Sequence, residues 1–366
     1  MKNLAQEHIL KLQPYIPGKP ISEVQRELAL EEVIKLASNE NPCGPSPKAL
    51  LAIQQALSEI HRYPDGSGFC LKKAMGERLH VSTDQIIFGN GTNEILELVV
   101  RTFLAPGEEA VSAHPAFIIY SLLVQAAGGK NVQVPLKNHT HDLQAMADAI
   151  TPKTKLVFIA NPNNPTGTMV TGEDMNRFLQ CVPKNVIVVF DEAYSEYVDD
   201  EGFPDSLACL RAFSDRPFLI ARTFSKAYGL AGLRVGYGIG DPELIAMMNR
   251  VRQPFNVNSL ALAAAEAALQ DAEHLGRTRE INRVGYRYLC TEFDRLKLSY
   301  IPSVANFILV NVGQDARAFS NRLLAEGVIV RPVGEYGLPT SVRITIGLEE
   351  ENRKLIQAME KMLNLP

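Results

Sequence analysis

This sequence of 366 residues lacks several features that often reveal a function. Its five cysteines form no CxxC pair, which disfavours a zinc or redox centre, and their scattered spacing is typical of a reducing cytosol. The formal net charge of −4 gives no sign of nucleic-acid or polybasic membrane binding. No apolar run reaches transmembrane length, and the first ten residues include Glu7 and His8. We therefore expect a cytoplasmic protein with no signal peptide, membrane span or metal site.

The length favours two domains, because 366 residues exceed what one hydrophobic core usually supports. Short unbroken apolar runs alternate with helical stretches between about 85 and 255, as in parallel strands that are buried on both faces. We therefore predict an α/β fold with a layered large domain at 41–257 and a smaller α+β domain made of 1–40 and 258–366. Residues 1–40 form an arm in which Pro14, Pro17, Gly18 and Pro20 forbid a continuous helix. The predicted strands are 85–88, 156–160, 186–190, 218–220, 307–310 and 342–346, and the predicted helices include 93–103, 172–180 and 259–270.

The segment FGNGTNE at 88–94 places glycines between a predicted strand and a predicted helix. Free backbone N–H groups at such a helix start bind phosphate, helped by the helix dipole. The segment is equally compatible with a plain strand-to-helix turn in which Thr92 caps the helix. It is neither a Walker loop nor a GxGxxG motif, so both interpretations stay open on these residues alone.

Two more motifs directly follow predicted strands: NPNNPTG at 161–167 and DEAY at 191–194. In open α/β sheets, ligands bind at the carboxyl ends of the strands. An asparagine side chain there can donate to a ligand oxygen, and Asp191 can be a half-buried carboxylate that faces a cation. The structural alternatives are an ordinary turn for the first motif and a helix cap or surface acid for the second.

Lys226 lies in a third segment of this kind, RTFSKAYGLAGLR at 222–234. A single lysine is usually solvated, but this one has hydroxyls before it, glycines after it and Arg234 eight residues beyond. Hydroxyls and an arginine together form a phosphate cradle. A lysine near cationic groups can have a lowered pKa, and its neutral amine is then a nucleophile.

The motifs NPxxPTG, DxAY and SKxxGxxGxR, in this order, resemble the fold-type I aminotransferases, which use pyridoxal 5′-phosphate (PLP). The resemblance covers essentially the whole chain. It implies the aspartate-aminotransferase-like fold, with a mostly parallel seven-stranded sheet in an α/β/α sandwich and a smaller α+β domain. The flanking segments LASNENP at 36–42, RYPD at 62–65 and RITIG at 343–347 resemble the histidinol-phosphate aminotransferases in particular.

The resemblance implies a cofactor role for each matching residue. Lys226 would form the Schiff base with PLP and shuttle a proton at the substrate Cα. Asp191 would pair with the pyridine nitrogen. Asn164 and Tyr194 would hydrogen-bond the ring 3′-oxygen, and Phe117 would stack on the ring. The residues expected to hold the cofactor phosphate are Gly91, Thr92, Asn93, Thr223, Ser225 and Arg234.

Two of these positions depart from the family pattern, and a further residue, Tyr63, implies a dimer. Phe117 stands where a tyrosine is usual, so stacking is kept but a hydroxyl is lost. Asn93 stands where an acid is common. Tyr63 matches a tyrosine that reaches the cofactor phosphate of a neighbouring subunit, which implies a homodimer with shared active sites.

The same resemblance implies the substrates. Arg343 and Arg331 would bind both the substrate phosphate and the carboxylates of glutamate, and Tyr15 and Asn39 would contact the substrate, with the arm as a lid. The implied reaction is a ping-pong transamination of L-histidinol phosphate and 2-oxoglutarate, giving imidazole acetol phosphate and glutamate, in histidine biosynthesis.

Four alternatives remain open at this point. An aromatic amino-acid aminotransferase or a threonine-phosphate decarboxylase would share the scaffold. A non-catalytic PLP-binding regulator would need a DNA-binding module, for which the forty residues before the fold are too few. A nucleotide-binding α/β protein would carry no visible chromophore, whereas a lysine-bound PLP makes the protein yellow.

Overall fold

The computed structural model describes residues 4–15 and 18–363, and strands and helices are labelled here in chain order. The strands are β1 (Ile34–Lys35), β2 (Ile86–Gly89), β3 (Glu109–His114), β4 (Lys130–Pro135), β5 (Thr154–Ala160), β6 (Ile187–Asp191), β7 (Phe218–Thr223), β8 (Gly236–Gly240), β9 (Ser299–Ile301), β10 (Phe307–Asn311), β11 (Val328–Ile329), β12 (Arg331–Pro332) and β13 (Ser341–Thr345). The helices are α1 (Glu7–Leu10), α2 (Ile21–Leu28), α3 (Pro47–Ala56), α4 (Phe69–Leu79), α5 (Thr92–Phe103), α6 (Ile119–Ala126), α7 (Leu143–Asp148), α8 (Gly172–Cys181), α9 (Ser206–Ala212), α10 (Pro242–Val251), α11 (Ser259–Leu269), α12 (Ala272–Arg295), α13 (Ala316–Ala325) and α14 (Glu349–Leu363).

The large sheet has seven strands in the order β2-β8-β7-β6-β5-β3-β4. Only β8 is antiparallel to its neighbours, so the prediction of a mostly parallel sheet is confirmed. The carboxyl ends of β5, β6 and β7 lie side by side, because Ala160 pairs with Asp191 and Asp191 pairs with Ala221. The three motifs that follow these strands therefore meet at one edge of the sheet.

The sequence pattern explains where these elements form. Residues 156–160 are almost completely buried, as expected for a strand that is covered on both faces. Helix α3 begins with Pro47 in its first turn, and the Ser46 side chain accepts a hydrogen bond from the N–H of Ala49. Helix α11 begins in the same way, with Asn258 as the cap. The predicted strands and helices are present, and no end is shifted by more than three residues.

A second, smaller sheet has four antiparallel strands in the order β12-β13-β10-β9. Its buried residues pack with those of α12, α13 and α14 in a hydrophobic cluster separate from that of the large sheet. Helix α11 belongs to the larger cluster although it lies beyond residue 257. The domain boundaries at 41–257 therefore stay a prediction.

The arm contains two short helices, α1 and α2, in place of one continuous helix. Pro20 precedes α2 in an extended conformation, in agreement with the predicted break, whereas Pro17 lies outside the described residues. Strand β1 then pairs with β11 in a two-stranded parallel sheet, which joins the arm to the second half of the chain. Within 4–15 and 18–363, no helix has the length and apolar character needed to cross a membrane.

Candidate active site

A cavity of about 210 Å³ lies at the carboxyl edge of the large sheet, where residues of the small sheet and the arm also meet. All but two of the predicted site residues line it. They are Tyr15, Asn39, Thr92, Asn93, Phe117, Asn164, Asp191, Tyr194, Thr223, Ser225, Lys226, Arg234, Arg331 and Arg343. The structure therefore brings together residues that are more than 300 positions apart in the sequence.

The amine of Lys226 lies inside this cavity, just beyond the end of β7. Its Nζ donates a hydrogen bond to the carbonyl oxygen of Ser38 at 2.9 Å. Burial lowers the pKa of Lys226 to about 7, and the positive charges of Arg343 and Arg234 act in the same direction. At neutral pH a large share of this amine is therefore uncharged and can act as a nucleophile or a base.

Asp191 presents a carboxylate to the cavity from the end of β6. Its Oδ2 accepts a hydrogen bond from the hydroxyl of Tyr120 at 2.7 Å. Burial raises the pKa of Asp191 to about 6, although the hydrogen bond from Tyr120 opposes this shift. No arginine, lysine or histidine of the described residues forms an ion pair with Asp191. The site therefore suits a ligand that brings its own positive charge.

Tyr120 is a site residue that the sequence analysis missed. It lies in the first turn of α6, and its ring meets that of Phe117 edge-on, with 5.8 Å between the ring centroids. The only sequence signal was its position three residues after Phe117, which places both side chains on one side of a helical turn. Nothing in the sequence indicated that its hydroxyl would reach Asp191.

A hydrogen-bond network joins the middle of the cavity to the small sheet. The hydroxyl of Tyr194 accepts a hydrogen bond from Nδ2 of Asn39 at 2.9 Å. Arg343 donates from Nη1 to Oδ1 of Asn164 at 2.6 Å and from Nη2 to the carbonyl oxygen of Ala37 at 2.8 Å. Burial raises the pKa of Tyr194, with the charge of Arg343 opposing the shift. The residues predicted to contact the ring oxygen are thus linked directly to the predicted carboxylate-binding arginine.

The second predicted anion-binding arginine, Arg331, lies directly beside Arg343, since the two residues pair across β12 and β13. Its guanidinium group lies over the ring of Tyr15, 5.4 Å from the centroid. Arg331 also forms an ion pair with Glu335. Two arginines and one aromatic ring therefore line the end of the cavity that belongs to the small sheet and the arm.

The opposite end of the cavity has the composition of an anion-binding site. Helix α5 begins there, and its free N–H groups carry the positive end of the helix dipole. Nη1 of Arg234 lies 3.5 Å from Oγ of Ser225. A β-carbon at Gly91, whose φ is +77°, would lie 2.4 Å from Nη2 of Arg234, so only glycine allows this approach. Thr92 and Thr223 add hydroxyl groups to the same end.

Two predicted residues do not line the cavity. Gly91 is close to the side chain of Arg234, which does line the cavity. Tyr63 is 84% exposed and stacks on Phe255, with 4.9 Å between the ring centroids. Tyr63 thus has no contact with the cavity of its own chain, and its role in a neighbouring subunit stays a prediction.

The donor set fits PLP at each of its reactive groups. The end formed by α5, Ser225 and Arg234 suits a phosphate, and the amine of Lys226 suits an aldehyde. The buried carboxylate of Asp191 suits a protonated pyridine nitrogen. Phe117 also lines the cavity, as a residue that stacks on the ring would.

Comparisons with known proteins agree with this interpretation. The chain matches the family model for aminotransferase class I and II over residues 31–359. It is 53% identical over 362 residues to histidinol-phosphate aminotransferase 2 of Pseudomonas fluorescens (strain Pf-5), covering 98% of this chain and 97% of that protein.

Solved structures show the same architecture. The crystal structure of histidinol-phosphate aminotransferase from Sinorhizobium meliloti in complex with PLP is 30% identical, with a TM-score of 0.91, and the match covers 98% of this chain and 97% of that one. Aspartate aminotransferase from Thermus thermophilus with maleate is 22% identical and shares the fold, with a TM-score of 0.83 over 98% of this chain and 99% of that one. The predicted aspartate-aminotransferase-like fold is therefore confirmed. By its sequence, its fold and its cavity, this chain belongs to the class I and II aminotransferases.

Proposed function

We propose that this protein is a PLP-dependent enzyme that transfers the amino group of L-histidinol phosphate to 2-oxoglutarate, forming imidazole acetol phosphate and glutamate for histidine biosynthesis. The observation that carries the proposal is the placement of Arg331 and Arg343 side by side in the cavity that holds Lys226. The identity of 53% to a histidinol-phosphate aminotransferase over nearly the full length supports the same substrate.

PLP, when bound, supplies an aldehyde that bonds the amino group and a ring that draws electrons from the carbon beside it. Lys226 accepts the proton from the substrate Cα, and its pKa of about 7 keeps much of its amine free to do so at neutral pH. Asp191 holds a proton at the ring nitrogen. The hydroxyl of Tyr194 and the amide of Asn164 line the same cavity and hold the cofactor ring in its orientation.

The two arginines suit both substrates. Histidinol phosphate has a phosphate group and no carboxylate, whereas glutamate has two carboxylates. A guanidinium group can bind either kind of anion through two parallel hydrogen bonds. Because Arg331 and Arg343 pair directly across neighbouring strands, one pocket can hold a phosphate ester in one half-reaction and a dicarboxylate in the other.

An aromatic amino-acid aminotransferase is the second candidate, and one observation favours it. Arg331 already has a carboxylate partner in Glu335 and lies over the ring of Tyr15. That end of the cavity can therefore contact an uncharged aromatic side chain without leaving an arginine unpaired.

An absorbance titration of the purified holoenzyme decides between the two candidates. Amino-group transfer to the cofactor changes its visible absorption, so each half-reaction can be followed without a second substrate. We expect histidinol phosphate to convert the cofactor at far lower concentration than phenylalanine does. Conversion by phenylalanine alone would overturn the proposed substrate and leave the class of enzyme intact.

We also infer a homodimer with shared active sites. Support comes from apolar side chains that are exposed on α3, on the segment after it and at the start of α4. They are Leu50, Leu51, Leu57, Ile60, Tyr63 and Phe69. A second copy would cover this surface and bring Tyr63 to a neighbouring cavity. Mixing Lys226→Ala and Tyr63→Ala subunits should restore activity through hybrid dimers that contain one intact site. No gain over the separate variants would contradict the inference.

Two coarser expectations accompany this proposal. A division into a large and a small domain is supported by the two separate hydrophobic clusters, although the larger cluster extends beyond the predicted boundary at 257 to include α11. A cytoplasmic location is supported by the five cysteines, all of which are free thiols.

A further inference from the structure

The two arginines of the substrate end differ in the partners that they have. Arg343 donates to an amide oxygen and a carbonyl oxygen, and it forms no ion pair with an acid of residues 4–15 and 18–363. Arg331 forms an ion pair with Glu335, which follows it by four residues in the turn Gly334–Tyr336. The difference matters because these arginines are the cavity groups suited to the anionic parts of a substrate.

The Arg331–Glu335 pair is only partly shielded from water. The side chain of Arg331 is 12% exposed and that of Glu335 is 31% exposed. Although burial acts against the charged form of Arg331, the hydrogen bond to Glu335 raises the pKa of this guanidinium group. Arg331 therefore stays charged, and its charge is balanced inside the protein.

Glu335 reaches Arg331 from outside the active-site cavity. Arg331 lines both this cavity and an adjoining one, whereas Glu335 lines only the adjoining one. Arg317 and Lys19 line the adjoining cavity too. Lys19 is paired with acids of α2, but Arg317 forms no ion pair within the described part of the chain. Glu335 thus has both space and another cation on the side away from the substrate.

We propose that Glu335 is a displaceable counter-ion of Arg331 that determines which substrate groups the pocket accepts beside this arginine. The proposal rests on the proposed function, in that Arg331 and Arg343 bind the anionic groups of the substrates. A phosphate or carboxylate that reaches Arg331 takes the place of Glu335 on the guanidinium group, and Glu335 turns into the adjoining cavity near Arg317. An uncharged group beside Arg331, such as the phenyl ring of phenylalanine, leaves the pair intact.

The physical reason is the cost of an unpaired charge in a partly buried position. If Glu335 were neutral, an anionic ligand would gain Arg331 without first displacing the carboxylate of Glu335. An aromatic ligand would instead cover an arginine that has lost its carboxylate, which is unfavourable. Glu335 therefore weakens the binding of anionic groups at Arg331 and makes the binding of uncharged groups there possible.

The test is the Glu335→Gln variant of the holoenzyme. We expect KM for histidinol phosphate and for 2-oxoglutarate to fall about fivefold, and KM for phenylalanine to rise about fivefold, which corresponds to the strength of a partly exposed ion pair. We expect kcat to stay within about twofold, because Glu335 touches no reacting atom. Glu349→Gln is the matched control, since Glu349 also forms an ion pair with an arginine four residues away but lies on α14. It should change none of these constants.

Dead-end ligands separate this proposal from the proposed function. Glutarate and 3-phenylpropionate each have one carboxylate for Arg343 and differ at the remote end, and their dissociation constants can be measured by calorimetry. The Glu335→Gln substitution should lower the dissociation constant of glutarate and raise that of 3-phenylpropionate. The role of Glu335 is overturned if both dissociation constants change in the same direction, if neither changes, or if glutarate binds more weakly. If the wild type fails to convert histidinol phosphate, the proposed substrate is wrong, and the two ligands still decide the role of Glu335.

Discussion

The two ends of the cavity are built in different ways. The cofactor end uses residues at the carboxyl ends of neighbouring strands of one buried sheet, and many of them lie in the segment from Asp191 to Arg234. The substrate end combines the arm, the loop around Asn39 and the small sheet. There, Asn39 and Thr345 are hydrogen-bonded although 306 positions separate them in the sequence.

The difference predicts which part of the proposed reaction each end controls. A parallel sheet buried on both faces holds Lys226 and Asp191 at fixed positions, as proton transfer requires. The substrate end depends on contacts between separate parts of the chain, so side-chain replacements there can change the substrate and leave the chemistry intact. Changes at the cofactor end should therefore lower kcat for every substrate, and changes at the substrate end should alter KM selectively.

The largest effect is expected for Lys226→Ala. No other amine is described in the cavity, so we expect kcat to fall by about 10⁴-fold or more with every amino donor. Steady-state rates with histidinol phosphate and with phenylalanine measure the loss. Lys72→Ala, which changes a lysine of a separate pocket, serves as the control. Retention of more than one per cent of kcat with either donor would refute the catalytic role.

Asp191→Asn should have the next largest effect. The amide keeps the shape of the carboxylate but cannot balance a protonated ring nitrogen, so we expect kcat to fall by about 100-fold or more with all donors. Thermal unfolding should show a folded protein, because the amide can still accept the hydrogen bond from Tyr120. A loss confined to one donor would break the distinction between the two ends.

Arg343→Lys should affect the substrate end. A lysine cannot form the two parallel hydrogen bonds of a guanidinium group, so we expect KM for glutamate to rise about 30-fold with a smaller change in kcat. Arg353→Lys, on the surface of α14, is the matched control. If kcat fell as strongly as in the Asp191→Asn variant, Arg343 would belong functionally to the cofactor end.

Tyr120→Phe gives the smallest effect and tests a pH dependence. The pKa of Asp191 is about 6, and the hydrogen bond from Tyr120 lowers it. Loss of this hydrogen bond should therefore raise the pKa above that value. The carboxylate is ionised above its pKa, and PLP affinity should therefore fall as the pH falls through that value. We expect the midpoint of a fluorescence titration of apoenzyme with PLP to move to higher pH, with about tenfold weaker binding at pH 7.

The control for this prediction is Tyr288→Phe, which changes a half-buried tyrosine of α12 outside the cavity. It should leave the midpoint at the wild-type pH. An unchanged midpoint in Tyr120→Phe itself would mean that the hydrogen bond does not control the ionisation of Asp191.

The sequence predicted some strands of the large sheet and missed others. The strands that precede 161–167, 191–194 and 222–234 were predicted correctly, because each is an apolar run that ends at a recognisable motif. Strand β8 was missed because glycines, which are rare in strands, occupy three of its five positions. The fold requires glycine there: a β-carbon at Gly236 would lie 2.5 Å from the backbone N of Thr92.

The sequence by itself determined the chemistry proposed for this protein, because the groups predicted to bind one small cofactor follow the ends of neighbouring strands in short continuous motifs. Only the tertiary structure decided the surroundings of those groups. The hydroxyl of Tyr120 on Asp191 and the carboxylate of Glu335 on Arg331 are contacts that no motif contains. The physical reason is that a motif records which groups follow one another along the chain, whereas the pKa of a carboxylate and the balance of a buried charge depend on what packs against it in space.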